Sequence, residues 1–336
     1  MVEAERHLAL GSETVERFQD QVGSISRYQV QILPNLTEHV NHSGKYTRPK
    51  VSLTPGIYLS PGIISFAEDN YGARPDSFTF MTQPGHRLGR EKSHNEVFFG
   101  KLLSHWESEE AILESQVAVK PTKNRAALLG ELAMFQYLEE LGMPTFQPTS
   151  FLLTETTEAT HLLTRFEKPV ATMDTVEWDE LESEEKWMQV DFAVKTMALL
   201  HSELLFHGDL EFKNVGFDER GDLIIIDPEL MVSALEMAEI VSQGRDSREV
   251  NSAEIRLKQS MSNDFTSVCK SIDEFIIASF PVAQRPNNDA AKFKLYARHL
   301  FRPYVASLKD SHSLYLPELL SAYEKVLHEH KQRSRA

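Results

Sequence analysis

The stretch His207-Gly208-Asp209-Leu210-Glu211-Phe212-Lys213-Asn214, followed by the apolar run Leu223–Ile226 and by Asp227-Pro228-Glu229, gathers side chains that can handle protons and metals. Asp209 is a carboxylate in a polar loop, suited to accepting or orienting a hydroxyl proton. Asn214 offers a neutral oxygen to a divalent cation, and Asp227, closing an apolar strand, offers a charged one. Hard oxygen ligands in so small a number suit Mg2+, which completes its octahedron with water and phosphate oxygens. The chemistry indicated is phosphoryl transfer. The plain alternative is a solvated turn followed by a capped strand, and the joint spacing of three such residues speaks against it.

These residues need a helix to deliver the loop and a strand to carry Asp227. Ser183 to Leu205 has the pattern of a long amphipathic helix leading into the loop, and Leu223–Ile226 is apolar on both strand faces. Upstream, Asn124 to Leu141 reads as a helix, with Asn124 as N-cap, Gly142 as the residue past its end and Pro144 forbidding continuation. Its apolar stripe of Leu128, Phe135 and Leu138 contains Glu131. A carboxylate on a buried stripe is costly unless paired. The nearest sensible cation is Lys120, ending the strand Val117-Ala118-Val119-Lys120. Strand alternation puts Ala118 and Lys120 on one face. A small residue beside an inward lysine leaves room for a flat ring next to an ammonium that grips phosphate. A salt bridge at the edge of a core, with no ligand, is the alternative reading of that pair.

The wider pattern divides the chain into an N-terminal extension of unassigned role (1–73), a strand-rich region (74–166), a helical region (167–330) and a basic tail (331–336). The extension has a polar helix-like start at Thr14 to Val22 and is then punctuated by proline and glycine. In the strand-rich region the expected strands are Ser77 to Met81, Val97 to Leu103 and Gln116 to Lys120, with a hairpin of Phe151 to Thr154 and His161 to Phe166. Further helices are expected at Ser233–Val241, Ala253–Ser260, Asp264–Ser279, Ala290–Leu308 and Pro317–His330. No internal repeat is visible.

A chain of 336 residues can bury the core of two lobes. Its single cysteine, Cys269, excludes an intrachain disulfide and suits a reducing compartment, so a cytoplasmic location is expected. Met1 to Leu10 lacks the apolar segment of a signal peptide. No apolar run approaches the roughly 20 residues that span a bilayer, so no membrane insertion is expected. A formal charge of −15 argues against nucleic acid or an anionic membrane as the main partner.

On these motifs the chain resembles the protein-kinase-like superfamily. Val117-Ala118-Val119-Lys120 looks like the strand of the nucleotide lysine and Glu131 like its helix partner. His207-Gly208-Asp209 through Asn214 looks like the catalytic loop, and Asp227 like the metal aspartate. The resemblance covers about Arg74 to Glu229. Its form is closest to the small-molecule kinases, namely the aminoglycoside phosphotransferases, fructosamine kinases and methylthioribose kinases. Gly208 stands where typical protein kinases carry an arginine that reads a phosphorylated activation loop, and Asp227-Pro228-Glu229 replaces Asp-Phe-Gly. Glu229 is then a candidate second ligand for Mg2+, and Pro228, with its φ fixed, disfavours a large flip of the segment. Gly85 and Gly89 are the best candidates for the phosphate loop, although a simple turn explains them equally well. The backbone at Thr164 to Glu167, centred on Arg165 and Phe166, is the candidate adenine-binding hinge. Glu211 occupies the place of the second lysine of a protein-kinase catalytic loop. Lys213 is the candidate to reach the γ-phosphate in its stead, or else is a solvent lysine.

The resemblance implies an α+β, bilobal protein-kinase-like fold, with a small antiparallel β-sheet N-lobe holding one key helix and a mainly helical C-lobe. It implies an ATP- and Mg2+-dependent phosphotransferase acting on a hydroxyl of a small molecule. An atypical protein kinase is the alternative acceptor class. A pseudokinase-like nucleotide-binding regulator is the alternative from another class. The acidic run Asp174, Glu177, Asp179, Glu180, Glu182, Glu184, Glu185 and Asp191, offset by Lys186, is either an anionic lip for an amine-bearing acceptor or a solvated helix face. Asp264 is the candidate buried structural aspartate of the next large helix.

Overall fold

The computed structural model describes residues 25–32, 34–37, 56–59, 76–88, 97–106, 109–122, 125–143, 150–153, 160–165, 171–217, 223–244 and 246–335. The expectations placed on Thr14–Val22, Gly89, Asn124, Pro144 and Phe166 lie outside these residues. The chain divides into two compact units, one of 1–38, 48–136 and 146–169, the other of 39–47, 137–145 and 170–336. Mixed helix and sheet, the α+β class, is what the described residues show.

In the first unit seven strands close into a barrel: β1 (Ile25–Ile32), β2 (Gly56–Leu59), β3 (Ser77–Leu88), β4 (Val97–Trp106), β5 (Glu109–Thr122), β6 (Ser150–Leu153) and β7 (Thr160–Arg165). The order around the barrel is β1-β2-β6-β7-β5-β4-β3. This corrects the expected small antiparallel sheet in two respects. One pair, β1 with β2, is parallel, and the sheet crosses the boundary drawn at residue 73, because β1 pairs with β3 from Ile25↔Met81 to Gln29↔Ser77. Strands left at an open edge expose unpaired N–H and C=O groups, and closure supplies the partners. The segment after β1 is tied in as well. Gln136 accepts from the Leu36 N–H at 2.7 Å and donates to the Pro34 carbonyl at 3.1 Å.

The helix α1 (Arg125–Glu140) is buried on most sides from Leu129 to Phe135. Its end follows the Schellman pattern. Gly142, at φ 67°, donates to Glu139, and Met143 donates to Leu138, whose side chain is buried as Met143's is.

The second unit is mainly helical. Helix α2 (Ser183–Ser202) starts in a capping box between Glu182 and Glu185 and buries Val190, Ala193, Val194, Met197, Ala198 and His201 at helical spacing. Short strands flank it and carry the loop: β8 (Ala171–Thr172) precedes it, and β9 (Leu205–Phe206), β10 (Val215–Phe217), β11 (Leu223–Ile225) and β12 (Val232–Ser233) come after. Then come α3 (Leu235–Ser242) and α4 (Ser247–Ser271). The two helices expected at Ala253–Ser260 and Asp264–Ser279 are one continuous element. Ser262 and Asn263 disfavour helix by only a few tenths of a kcal/mol each. Complete burial of Met261, Asp264 and Phe265 outweighs that.

The helix continues through a π-helical stretch, Ile272–Ile277. The helix expected at Ala290–Leu308 is likewise interrupted: α5 (Asp289–Tyr296), a π-helical turn Ala297–Phe301 and α6 (Arg302–Asp310). Pro303 has no N–H to give to the carbonyl four residues back and would crowd it in a regular helix. The last helix, α7 (Leu316–Arg333), runs into the segment read as a basic tail, and Lys331 and Arg333 complement the negative end of its dipole. No helix among the described residues is long and apolar enough to cross a membrane.

Candidate functional site

The loop between α2 and β10 is built from the backbone outward. The chain turns after α2 at Leu204, whose φ of 54° lies in the left-handed region. Such a φ costs a residue with a Cβ roughly 1–2 kcal/mol. The turn is held by Leu204 N–H to the His201 carbonyl at 2.9 Å and by Ala234 N–H to the Leu204 carbonyl at 2.9 Å. The pairs Val232↔Phe206 and Ser233↔Leu205 then fix the strand that leads to His207.

Asp264, fully buried in α4, holds the back of the loop. Its Oδ2 accepts from His207 N–H at 2.8 Å and from His201 Nε2–H at 3.1 Å, and its Oδ1 accepts from Gly208 N–H at 2.7 Å. The Tyr304 hydroxyl lies 2.8 Å from His201 Nδ1. Burial, then the charge of Asp264, pushes the Tyr304 phenol far up, so that it stays protonated and can donate. A buried carboxylate is tolerated when its lone pairs are satisfied in this way. The structure thus puts Asp264 in the buried role read for it from the sequence.

Gly208 has φ 82°, and a Cβ there would sit 2.8 Å from the Leu230 carbonyl oxygen. No side chain fits, so the absence of an arginine at this position follows from both the backbone and the packing. His207 Nε2–H donates to the Ile226 carbonyl at 2.9 Å, and the Ile226 N–H donates to the Asn214 carbonyl at 3.0 Å. The hairpin register Val215↔Ile225, continued by this bond, sets Asn214 opposite Ile226, immediately before Asp227. Asp227 itself is in the left-handed region at φ 56° and ψ 62°. Asp tolerates that region better than most residues, and strain of this kind gathers at functional sites.

On the open side, the Asn214 amide donates to the Asp209 carbonyl at 2.7 Å and to Asp209 Oδ2 at 3.2 Å. With its nitrogen committed, the Asn214 Oδ1 is the atom that can face a cation. Lys213 Nζ is 3.1 Å from Asp209 Oδ2 and 3.2 Å from Glu211 Oε2, and Lys270 Nζ is 2.5 Å from Glu211 Oε1. Burial works against the Lys213 ammonium, but the hydrogen bonds and charges of Asp209 and Glu211 outweigh it and hold its pKa above the ordinary lysine value. Burial likewise pulls Glu211 up, and Lys270 and Lys213 together bring it below the ordinary range. The hydrogen bond to Glu211 raises Lys270.

Asp209, Lys213, Asn214 and Asp227 are therefore neighbours within the second unit. Among the described residues no cluster of three His, Cys, Asp or Glu side chains could hold a metal by itself. One carboxylate and one amide oxygen nevertheless fit Mg2+, which keeps most of its shell as water and phosphate. Glu229 sits in the short helical turn Pro228–Leu230, described at the backbone.

The described residues predicted for the first unit lie on α1, β3, β5 and β7. Glu131 is 4% exposed and engaged by the protein. Lys120 pairs with Leu162, Ala118 with Thr164, and Val117 with Arg165, all at the level of backbone register. Gly85 does not lie in a tight turn. It is inside β3, where the pairing with β4 slips from Thr82↔Gly100 to Arg87↔Phe98, an irregularity that glycine accommodates.

The acidic run turns out to be partly structural. Glu182 and Glu185 cap α2, and Asp174 accepts from the Thr172 hydroxyl. Lys186 is buried, with its Nζ 5.1 Å from the centre of the Phe280 ring. Sequence reasoning missed Lys270, His201 and Tyr304. His201 alone had a signal, a histidine on the buried face of the helix that enters the loop. A scan against protein-family models finds no match for this chain, and a search of the curated proteins finds none either.

Proposed function

We propose that this chain is an ATP- and Mg2+-dependent phosphotransferase that moves the γ-phosphate to a hydroxyl of a small molecule. The observation that carries the reading is the joint arrangement of Asp209, Lys213, Asn214 and Asp227 on one braced loop and hairpin. Asp209 orients the acceptor hydroxyl and takes its proton. Lys213 meets the developing charge on the transferred group. Asn214 and Asp227 hold Mg2+, with Glu229 as a further candidate ligand. When bound, the ion neutralises phosphate charge and aligns the phosphate chain. In the first unit Lys120 and Glu131 form the nucleotide pair, and the backbone at Arg165 and Phe166 serves adenine. Most of the acceleration comes from positioning and fixed charge.

Gly208 favours a small-molecule acceptor over a phosphorylation-switched protein kinase, because the site has no room for the arginine that such a switch uses. The bilobal protein-kinase-like architecture and a cytoplasmic location belong to the same reading. The single cysteine, Cys269, is buried, and burial raises its thiol pKa, which fits a chain that needs no disulfide.

The test is transfer from γ-labelled ATP with Mg2+ into a metabolite extract and, in parallel, onto a peptide array. A labelled metabolite is expected with the native chain. Asp209→Ala is expected to lower its formation by at least about a hundredfold while ATP still binds. Full transfer by Asp209→Ala would remove the catalytic assignment. Label on peptides alone would move the acceptor to proteins, and ATP binding without turnover on either panel would favour a regulator.

A further inference from the structure

Glu211 stands where the resemblance would put a second lysine, and the geometry gives it other work. Asp209, Lys213, Glu211 and Lys270 form a row of alternating charge, with spacings of 3.1, 3.2 and 2.5 Å. The first three come from the loop. Lys270 comes from the last turn of α4, the same helix whose Asp264 holds the back of that loop. Its neighbour Ser271 is buried and accepts the Phe212 N–H at 3.0 Å, so this turn of α4 also fixes the backbone between Glu211 and Lys213.

Lys213 has a flexible stem, and its side chain is 51% exposed. Left with one carboxylate, it would settle on Asp209, the group that has to receive the acceptor's proton. A second carboxylate at nearly the same distance removes that preference and fixes the ammonium between the two. Glu211 can do this because it is only 19% exposed and is itself held by Lys270. A free glutamate would lose rotamer freedom on pairing, whereas one already fixed loses little.

We infer that Glu211, anchored by Lys270, is a positioning residue that holds Lys213 shared between the two carboxylates, beside Asp209 and ready for the transferred phosphoryl oxygens. This rests on the phosphotransfer reading above.

The test uses the full chain with ATP and Mg2+, water serving as the acceptor and phosphate release as the measurement. Glu211→Gln is expected to lower kcat about tenfold, with KM for ATP changed by less than about twofold. In a Lys213→Met background the same substitution should cause no further loss in kcat, because Glu211 acts through Lys213. Lys270→Met should give a smaller loss of about threefold, as an exposed ion pair allows. Independently of turnover, side-chain ammonium NMR without nucleotide should show an ordered Lys213 signal in the native chain that is lost in Glu211→Gln. Multiplying losses in the double variant, a changed KM with unchanged kcat, or an unaltered Lys213 signal would each overturn the inference. Native-like phosphate release by Asp209→Ala would sink the phosphotransfer reading instead, and the NMR signal would still decide whether Glu211 fixes Lys213.

Discussion

The loop that carries Asp209 is braced on two sides, and the two sides are built differently. At the back, Asp264 is fully buried and binds backbone: the N–H groups of His207 and Gly208, with His201 completing its shell. At the front, Glu211 is partly open and binds side chains, the ammonium groups of Lys213 and Lys270. The buried carboxylate sets where the chain runs, and its loss leaves donors that water cannot reach. The open carboxylate sets where a flexible cation points, and its loss leaves groups that water can satisfy. Stability should therefore follow the back of the loop, and reactivity the front.

The largest departure from this contrast would come from Asp264→Ala. Removing the acceptor strands two backbone donors and His201, and it should cost about 3–5 kcal/mol of unfolding free energy. Chemical denaturation measures this directly, and a loss below about 1 kcal/mol would erase the distinction between back and front.

Gly208→Ala is the intermediate case. Forcing a Cβ into a left-handed backbone costs roughly 1–2 kcal/mol before any clash with the Leu230 carbonyl. The expected result is a clear fall in the melting temperature, together with weaker activity because the Asp227 turn is displaced. Unchanged stability would show that the close approach at 2.8 Å relaxes freely.

The smallest effect belongs to the front. Because the pKa of Glu211 is lowered in the folded protein, its pairing stabilises the fold above its unfolded value and is lost as pH falls through the folded one. Glu211→Gln should thus cost a small amount of stability at neutral pH, well below the Asp264 loss, and the difference from the native chain should close as pH falls below about 4.3, the ordinary glutamate value. A large neutral-pH loss would place Glu211 with the buried side after all.

What could be read in the sequence was local. The helix before the loop, the strand before Asp227 and the spacing of Asp209, Asn214 and Asp227 all lie within a short stretch of chain and carry their own periodicity. The strands β1 and β2 were illegible because their partners are far away in sequence: Tyr58 pairs with Phe151, and Gln29 with Ser77. Gly85 could be read as a turn residue because a bulge inside a strand and a turn between strands use the same residue. The run at Ser262-Asn263 looked like a break because propensity is visible in the sequence and the burial of Phe265 is not. Lys270 could not have been found at all, since nothing but the fold brings it to Glu211.

The wide π turn at Ala297–Phe301 has an effect on phase. A regular helix advances about 100° per residue, so that every fourth side chain drifts about 40° around the axis. Tyr296, Leu300, Tyr304 and Leu308 follow that four-residue interval and are all buried. A turn that holds more residues absorbs part of the accumulated rotation. The bulge works as a timing correction in the helix, bringing the Tyr304 hydroxyl round to His201 and, through it, to the carboxylate behind the loop.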